Sequence, residues 1–243
     1  VDAGVAPGIP NFLLGYWNTK MKINSFDYCV GGLPKNPSPP YNYKAPFSPI
    51  DVIEEYTRPA RMRINSQVVT KPALSDLEIF NFSEVGKLEA FNTDGLRSLL
   101  QTMGHIPNMK EKTLRYPGHA KLMQSMIDDG LFNNKNFDKT INRLFEDWKL
   151  KEDEPEFTIL DINIYSDSKN IHYHLYDETD DILKSSSMAR TTGFTATATI
   201  NMLLNNLWSK KGVFPPELVG ENEQCIDFLL SYLSARNVTM SQN

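Results

Sequence analysis

Apolar and polar positions recur along this chain with two periods, and the switches between them mark out its elements. Ile9, Phe12, Leu13 and Tyr16 stand at helical spacing. With Pro10 suited to a first helical turn, they predict a helix to about Met21. "KINSFDYCVGGLP" then alternates as a strand that ends in Gly31-Gly32. Pro34, Pro37, Pro39, Pro40, Pro46 and Pro49 crowd the next stretch, which is read as a long ordered loop. "SPIDVIEEY" opens a helix, with Ser48 as N-cap and Pro49 at the first helical position. "ARMRINSQVVTKP" reads as a hairpin and "KLEAFN" as a strand. "TDGLRSLLQTM" reads as a helix capped by Thr93 or Asp94. "MKEKTLRY" is strand-like, and "HAKLMQSMIDDGLF" is a helix stopped by Gly130.

The clearest hairpin lies further on. "FTILDINIYS" alternates Phe157, Ile159, Asp161 and Asn163 against Thr158, Leu160, Ile162 and Ile164; the turn "DSKN" and the arm "IHYHLYD" follow. "MARTTGFTATATINMLLNNLW" is a long helix rich in small residues, and residues 221–235 form another. Strands separated by helices, with antiparallel hairpins, predict an α+β fold: a mixed, largely antiparallel sheet with helices on one face.

The 243 residues allow one large domain or two small ones. A formal net charge of −5 gives no support to nucleic-acid or membrane-surface binding. No apolar run approaches the roughly 18 residues that span a bilayer, and no signal-peptide pattern opens the chain. Cys29 and Cys225, far apart in sequence, fit a reducing compartment better than a disulfide scaffold. A cytoplasmic protein is expected. The opening "VDAGVAPGIPNFLLGYW" reads like the interior of a longer chain.

Candidate chemistry concentrates in "EKTLRYPGHAKLM". Lys112 and Arg115, with Tyr116 and His119, could frame an anion pocket. Arginine's planar fork matches a carboxylate, and a helix starting near His119 adds free N–H groups. The alternative is a solvated strand edge followed by an ordinary turn. Asn92, Thr93 and Asp94 in "FNTDGLR" stand where strand gives way to helix, as caps or as ligand contacts. Gly31-Gly32 permits a tight turn but is no dinucleotide fingerprint, and neither G-x-G-x-x-G nor a P-loop occurs. His172 and His174 share a strand face, yet no third ligand at suitable spacing is evident, so no metal site is expected. These residues suggest a carboxylate-binding pocket but not a reaction.

"DAGVAPG", "GGLP", "FSPIDVIEEYTRPAR", "LEAFNTDGLR", "EKTLRYPGH", "MARTTG" and "GVFPPE" follow in this order. In them the chain resembles saccharopine dehydrogenase-like proteins, within these the L-lysine dehydrogenase and L-glutamate-forming saccharopine reductase branch. The resemblance spans nearly the whole chain. It implies the C-terminal domain of a Rossmann-type dehydrogenase, working with NAD or NADP on a small amino-acid substrate and forming a homodimer through its sheet. Residues 1–187 would be the substrate-binding and dimerisation domain. Residues 188–243 would be a helical segment packing on a nucleotide-binding domain, with an exposed apolar patch where that domain is lacking. Arg115 matches the family arginine that grips a substrate carboxylate, with Tyr116, Asn92 and Thr93 beside it. Ser48, Gly31, Gly32 and Ala6 match segments lining the cofactor–substrate cleft. Ala6 departs from the acidic residue of fungal-type saccharopine reductases, which favours a simpler amino acid such as lysine. The implied oxidation needs a base, for which His119, Lys112 and Asp94 are candidates. A non-catalytic binding and dimerisation module is the alternative.

Overall fold

A computed structural model describes residues 1–243 except Pro46, Glu152 and Asp153. Pro46 of the proline-rich stretch thus lies outside the described residues. The chain opens with α1 (Ile9–Asn18), β1 (Ile23–Pro34), α2 (Pro49–Thr57) and a hairpin of β2 (Ala60–Ile64) and β3 (Gln67–Lys71). A second hairpin, β4 (Glu78–Phe82) and β5 (Gly86–Asn92), leads through the short α3 (Leu99–Thr102) to β6 (Asn108–Arg115). Then come α4 (His119–Asp128), α5 (Phe137–Asp147), β7 (Glu156–Ser166) and β8 (Asn170–Glu178). The chain closes with α6 (Ser187–Leu204), α7 (Pro216–Gly220), α8 (Glu223–Ser234) and β9 (Met240–Gln242).

The strands form one nine-stranded sheet in the order β3-β2-β6-β1-β7-β8-β9, with β5 also on β6 and β4 on β5. It is mixed and largely antiparallel, as the pattern predicts: only β1 and β6 pair in parallel, Phe26 facing Met109. On its other side β1 runs antiparallel to β7, Phe26 facing Ile164. β6 takes two partners along one edge. Met109 pairs with Arg63 of β2, and Lys112 to Arg115 pair with β5.

Period-two alternation decides which core each strand residue joins. Leu160, Ile162 and Ile164 of β7 pack with α1, α6 and α8, while Phe157 and Ile159 pack with α2, α4 and α5. Helices therefore cover both faces of the sheet rather than the one expected. Residues 188–243 join the first core through α6 and α8 and add β9 to the sheet edge. On α6, Ile200, Leu203 and Leu204 stay exposed.

Two local expectations differ from the structure. Gly31-Gly32 is no turn: β1 continues to Pro34, and a Cβ on Gly31 would meet the Leu114 Cβ and carbonyl oxygen at 2.9 Å. The glycine there allows close approach of β6. The helix expected from Thr93 shrinks to one turn at Leu99–Thr102, because Thr93 and Asp94 turn their side chains to other partners.

Candidate active site

A cavity of about 510 Å³ opens where β1, β6, α2 and the segment after β5 converge. Ala6 and Pro7, ahead of α1, also line it. Its wall is acidic: Asp51, Glu54, Glu55, Asp94 and Glu111 line it beside Arg58 and Arg97. Arg58 pairs with Glu54, and Arg97 reaches Asp2 at 3.5 Å.

Glu111 is the group most altered by this setting. Its side chain points inward from β6 and is 4% exposed. The Thr93 hydroxyl lies 2.8 and 2.7 Å from its two carboxyl oxygens and 2.9 Å from the Thr113 hydroxyl. The Gly95 N–H donates to Oε2 at 2.9 Å, and Tyr28 holds the Gly95 carbonyl at 2.9 Å. Burial pushes the Glu111 pKa up to about 8, against the hydrogen bonds from Thr93 and Gly95 that favour the charged form. A carboxyl so poised, at a cavity wall, can exchange a proton near neutral pH.

The residues singled out from sequence separate into three groups. Ala6, Thr93 and Asp94 line the cavity. Asp94 accepts a forked pair of bonds from Arg61, at 2.9 Å from Nε and 2.8 Å from Nη2. Arg115 and His119 stand behind the wall. Arg115, 3% exposed, donates to Glu55 at 2.6 Å, to the Tyr56 hydroxyl at 3.2 Å and to the Leu114 carbonyl at 2.9 Å. His119 is buried between Tyr56 and the Tyr41 carbonyl. Burial and the nearby Arg115 lower its pKa to about 3, so it is neutral.

The remaining residues lie elsewhere. Lys112 bonds the Asp76 carbonyl and Glu78, Asn92 bonds Ser75 and Asp76, and Tyr116 bonds the Pro34 carbonyl. Ser48 occupies the N-cap of α2 without a side-chain cap bond. Lys112 and Arg115 do not form one pocket because residues an odd number apart on a strand face opposite ways. The same rule sets Glu111, Thr113 and Arg115 on one face, which is the sequence signal for Glu111. Outside the cavity, His172 and His174 both bond Asp161, at 2.9 and 2.8 Å.

The dinucleotide implied by the resemblance finds no fit on these residues. A pyrophosphate seeks N–H donors and cations, whereas this wall is rich in carboxylates and Gly31 is closed off by Leu114. Among the described residues no helix is long and apolar enough to cross a membrane.

The mixed sheet, its two helical layers and the acid-walled cavity define an α+β domain. Residues 4–238 match the saccharopine dehydrogenase C-terminal domain family, and the chain belongs to it. Among solved structures, it is similar to apo histidine-tagged saccharopine dehydrogenase (L-Glu forming) from Saccharomyces cerevisiae. The TM-score is 0.75 at 14% identity, over 99% of this chain and 72% of that one. At that identity the likeness concerns the fold.

Proposed function

We propose that this chain is the substrate-binding part of a cytoplasmic NAD(P)-dependent oxidoreductase acting on the C–N bond of an amino acid of the L-lysine or saccharopine type. The observation that carries this is the Glu111 carboxyl, cradled by Thr93 and Gly95 on the wall of an acid-rich cavity. An amine reaches such a site as an ammonium ion, attracted by the surrounding carboxylates. Glu111, protonated at neutral pH with a pKa of about 8, loses that proton to solvent as the ammonium ion settles beside it. It then accepts one of the ammonium protons and leaves the nitrogen lone pair free, as oxidation at the C–N bond requires. The dinucleotide is held by protein outside the described residues. A second copy of the chain is proposed to dock against the sheet.

Calorimetric titration with L-lysine and with saccharopine tests the site. Binding of one of them with proton release at neutral pH that disappears in Glu111→Gln supports the proposal. Equal binding by that variant, or binding of neither amino acid, overturns it. Reduction of NAD⁺ or NADP⁺ by the bound amino acid, measured with a nucleotide-binding domain joined to the chain, separates the enzyme from a non-catalytic binding module.

A further inference from the structure

Arg115 reaches the cavity only through another residue. Its Nη2 donates to Glu55 Oε2 at 2.6 Å, and Glu55, not Arg115, lines the cavity. The rest of the guanidinium is committed inward. Nε donates to the Tyr56 hydroxyl at 3.2 Å, Nη1 to the Leu114 carbonyl at 2.9 Å, and the ring face of Tyr43 lies 4.3 Å from the guanidinium carbon. Behind Tyr56 the chain of bonds continues to His119 Nε2 at 2.9 Å and from His119 Nδ1 to the Tyr41 carbonyl at 2.8 Å. Because a carbonyl can only accept, Nδ1 carries the proton and Nε2 accepts from Tyr56. The Tyr56 oxygen is then free to accept from Arg115. Every donor along this line is thereby assigned one acceptor.

We infer that Arg115 is a positioning residue, which holds the Glu55 carboxylate at the cavity wall so that Glu55 and Glu111 together receive the ammonium end of the substrate. This rests on the amine-binding role proposed above and deepens it, since it assigns Arg115 to the amine rather than to a carboxylate of the substrate. Glu55 sits on α2 near Asp51 and Glu54 and faces Asp94 and Glu111, with Arg58 and Arg97 at the same cavity. Burial among like charges drives a carboxyl toward its neutral form unless a cation holds it. Tyr43 and Tyr56, packed around Arg115, have their phenols pushed up by burial and stay neutral, which leaves the Arg115 charge to Glu55. Lysine at position 115 would keep the positive charge but lose the planar fork that serves Glu55, Tyr56 and the Leu114 carbonyl at once.

The test compares L-lysine with 1,5-diaminopentane, the same molecule without its carboxylate, in the unmodified chain, Arg115→Lys, Glu55→Gln and the double variant. Arg115→Lys is expected to weaken both ligands by the same factor, about tenfold, corresponding to one lost charge-assisted bond. Glu55→Gln weakens both likewise, and the double variant no further. Loss of L-lysine binding with 1,5-diaminopentane untouched would show Arg115 gripping the substrate carboxylate and overturn the inference alone. Failure of the unmodified chain to bind either ligand would remove the amine site and this inference with it. Should Arg115→Lys fail to fold, Glu55→Gln carries the comparison, and unchanged diamine affinity in it overturns the inference.

Discussion

Gly95 lies so close to Glu111 that a methyl group in its place would sit 2.5 Å from the carboxyl carbon and Oε2. The contact is closer than real side chains tolerate, and the group in the way is the Glu111 carboxyl itself. Gly95→Ala must therefore turn the Glu111 carboxyl away or push the segment after β5 off the sheet. Its N–H bond to Oε2 would be lost with either movement. A destabilisation of about 1–3 kcal/mol is expected from overpacking, with a loss of amine affinity larger than the change in melting temperature alone explains. Calorimetry beside thermal denaturation checks this, and unchanged amine affinity would show that the contact is not used.

Glu111 also gives the protein a stability term that falls with rising pH. Its folded pKa is raised from 4.5 to about 8. Between those values the folded state keeps a proton that the unfolded chain has released. Stability from this group therefore declines by up to about 1.36 kcal/mol per pH unit across that window. Glu111→Gln keeps the shape and removes the titration. The variant should gain stability on the unmodified protein progressively from about pH 5 to about pH 8. Denaturant unfolding at several pH values measures the difference, and a difference that does not change with pH would place the carboxyl in water.

His119 works in the opposite sense. Its folded pKa is lowered from 6.5 to about 3, chiefly by burial. Neutral His119 thus contributes stability that is present above pH 6.5 and is lost as the pH falls toward 3. His119→Phe fills the ring's space but leaves the Tyr56 hydroxyl and the Tyr41 carbonyl without their partner. At pH 7.5 it should cost about 2–4 kcal/mol. The gap between variant and unmodified protein should close on acidification below pH 6.5, which an acid-unfolding series reads directly.

Much of the fold was legible because most elements follow one clean period. The "FTILDINIYS" hairpin lies where its alternation puts it, and its two faces feed two different cores. Where several demands met, the pattern misled. Helix α5 and its C-cap join Ile141, Leu144 and Trp148 to the core at helical spacing, yet the charged residues between them hide that stripe. "TDGLRSLLQTM" has the composition of a capped helix, but Thr93 and Asp94 find tertiary partners in Glu111 and Arg61, which outweigh local capping. The site was partly visible in the same way. Thr93 and Asp94 reach the cavity, and alternation places Glu111 on one strand face with Thr113 and Arg115, but only long-range packing buries Glu111 and sets Glu55 against Arg115. No local spacing encodes that burial.

Away from the cavity, His174 ties the turn between β4 and β5 to the sheet. Its Nδ1 lies 2.8 Å from Asp161 Oδ1 and its Nε2 3.2 Å from Glu84 Oε1. Both acceptors are carboxylates, so both bonds exist together only when the ring carries two protons. His172 faces the same Asp161 oxygen at 2.9 Å, and the Phe82 ring stacks on His174. The Asp161 bond, reinforced by Glu84, raises the His174 pKa above 6.5. A raised histidine contributes stability that is whole below its unfolded pKa and is lost as the pH climbs through the folded one. His174→Gln, which can reach only one carboxylate as a donor, should cost about 1–2 kcal/mol near pH 6 and much less near pH 9. Hydrogen exchange at the amides of 83–86, compared between the two proteins across that range, shows whether the turn loosens with the proton. Exchange that is the same at both pH values, after correction for its intrinsic pH dependence, would mean that the hydrophobic contacts of Phe80 and Phe82 hold the turn without His174.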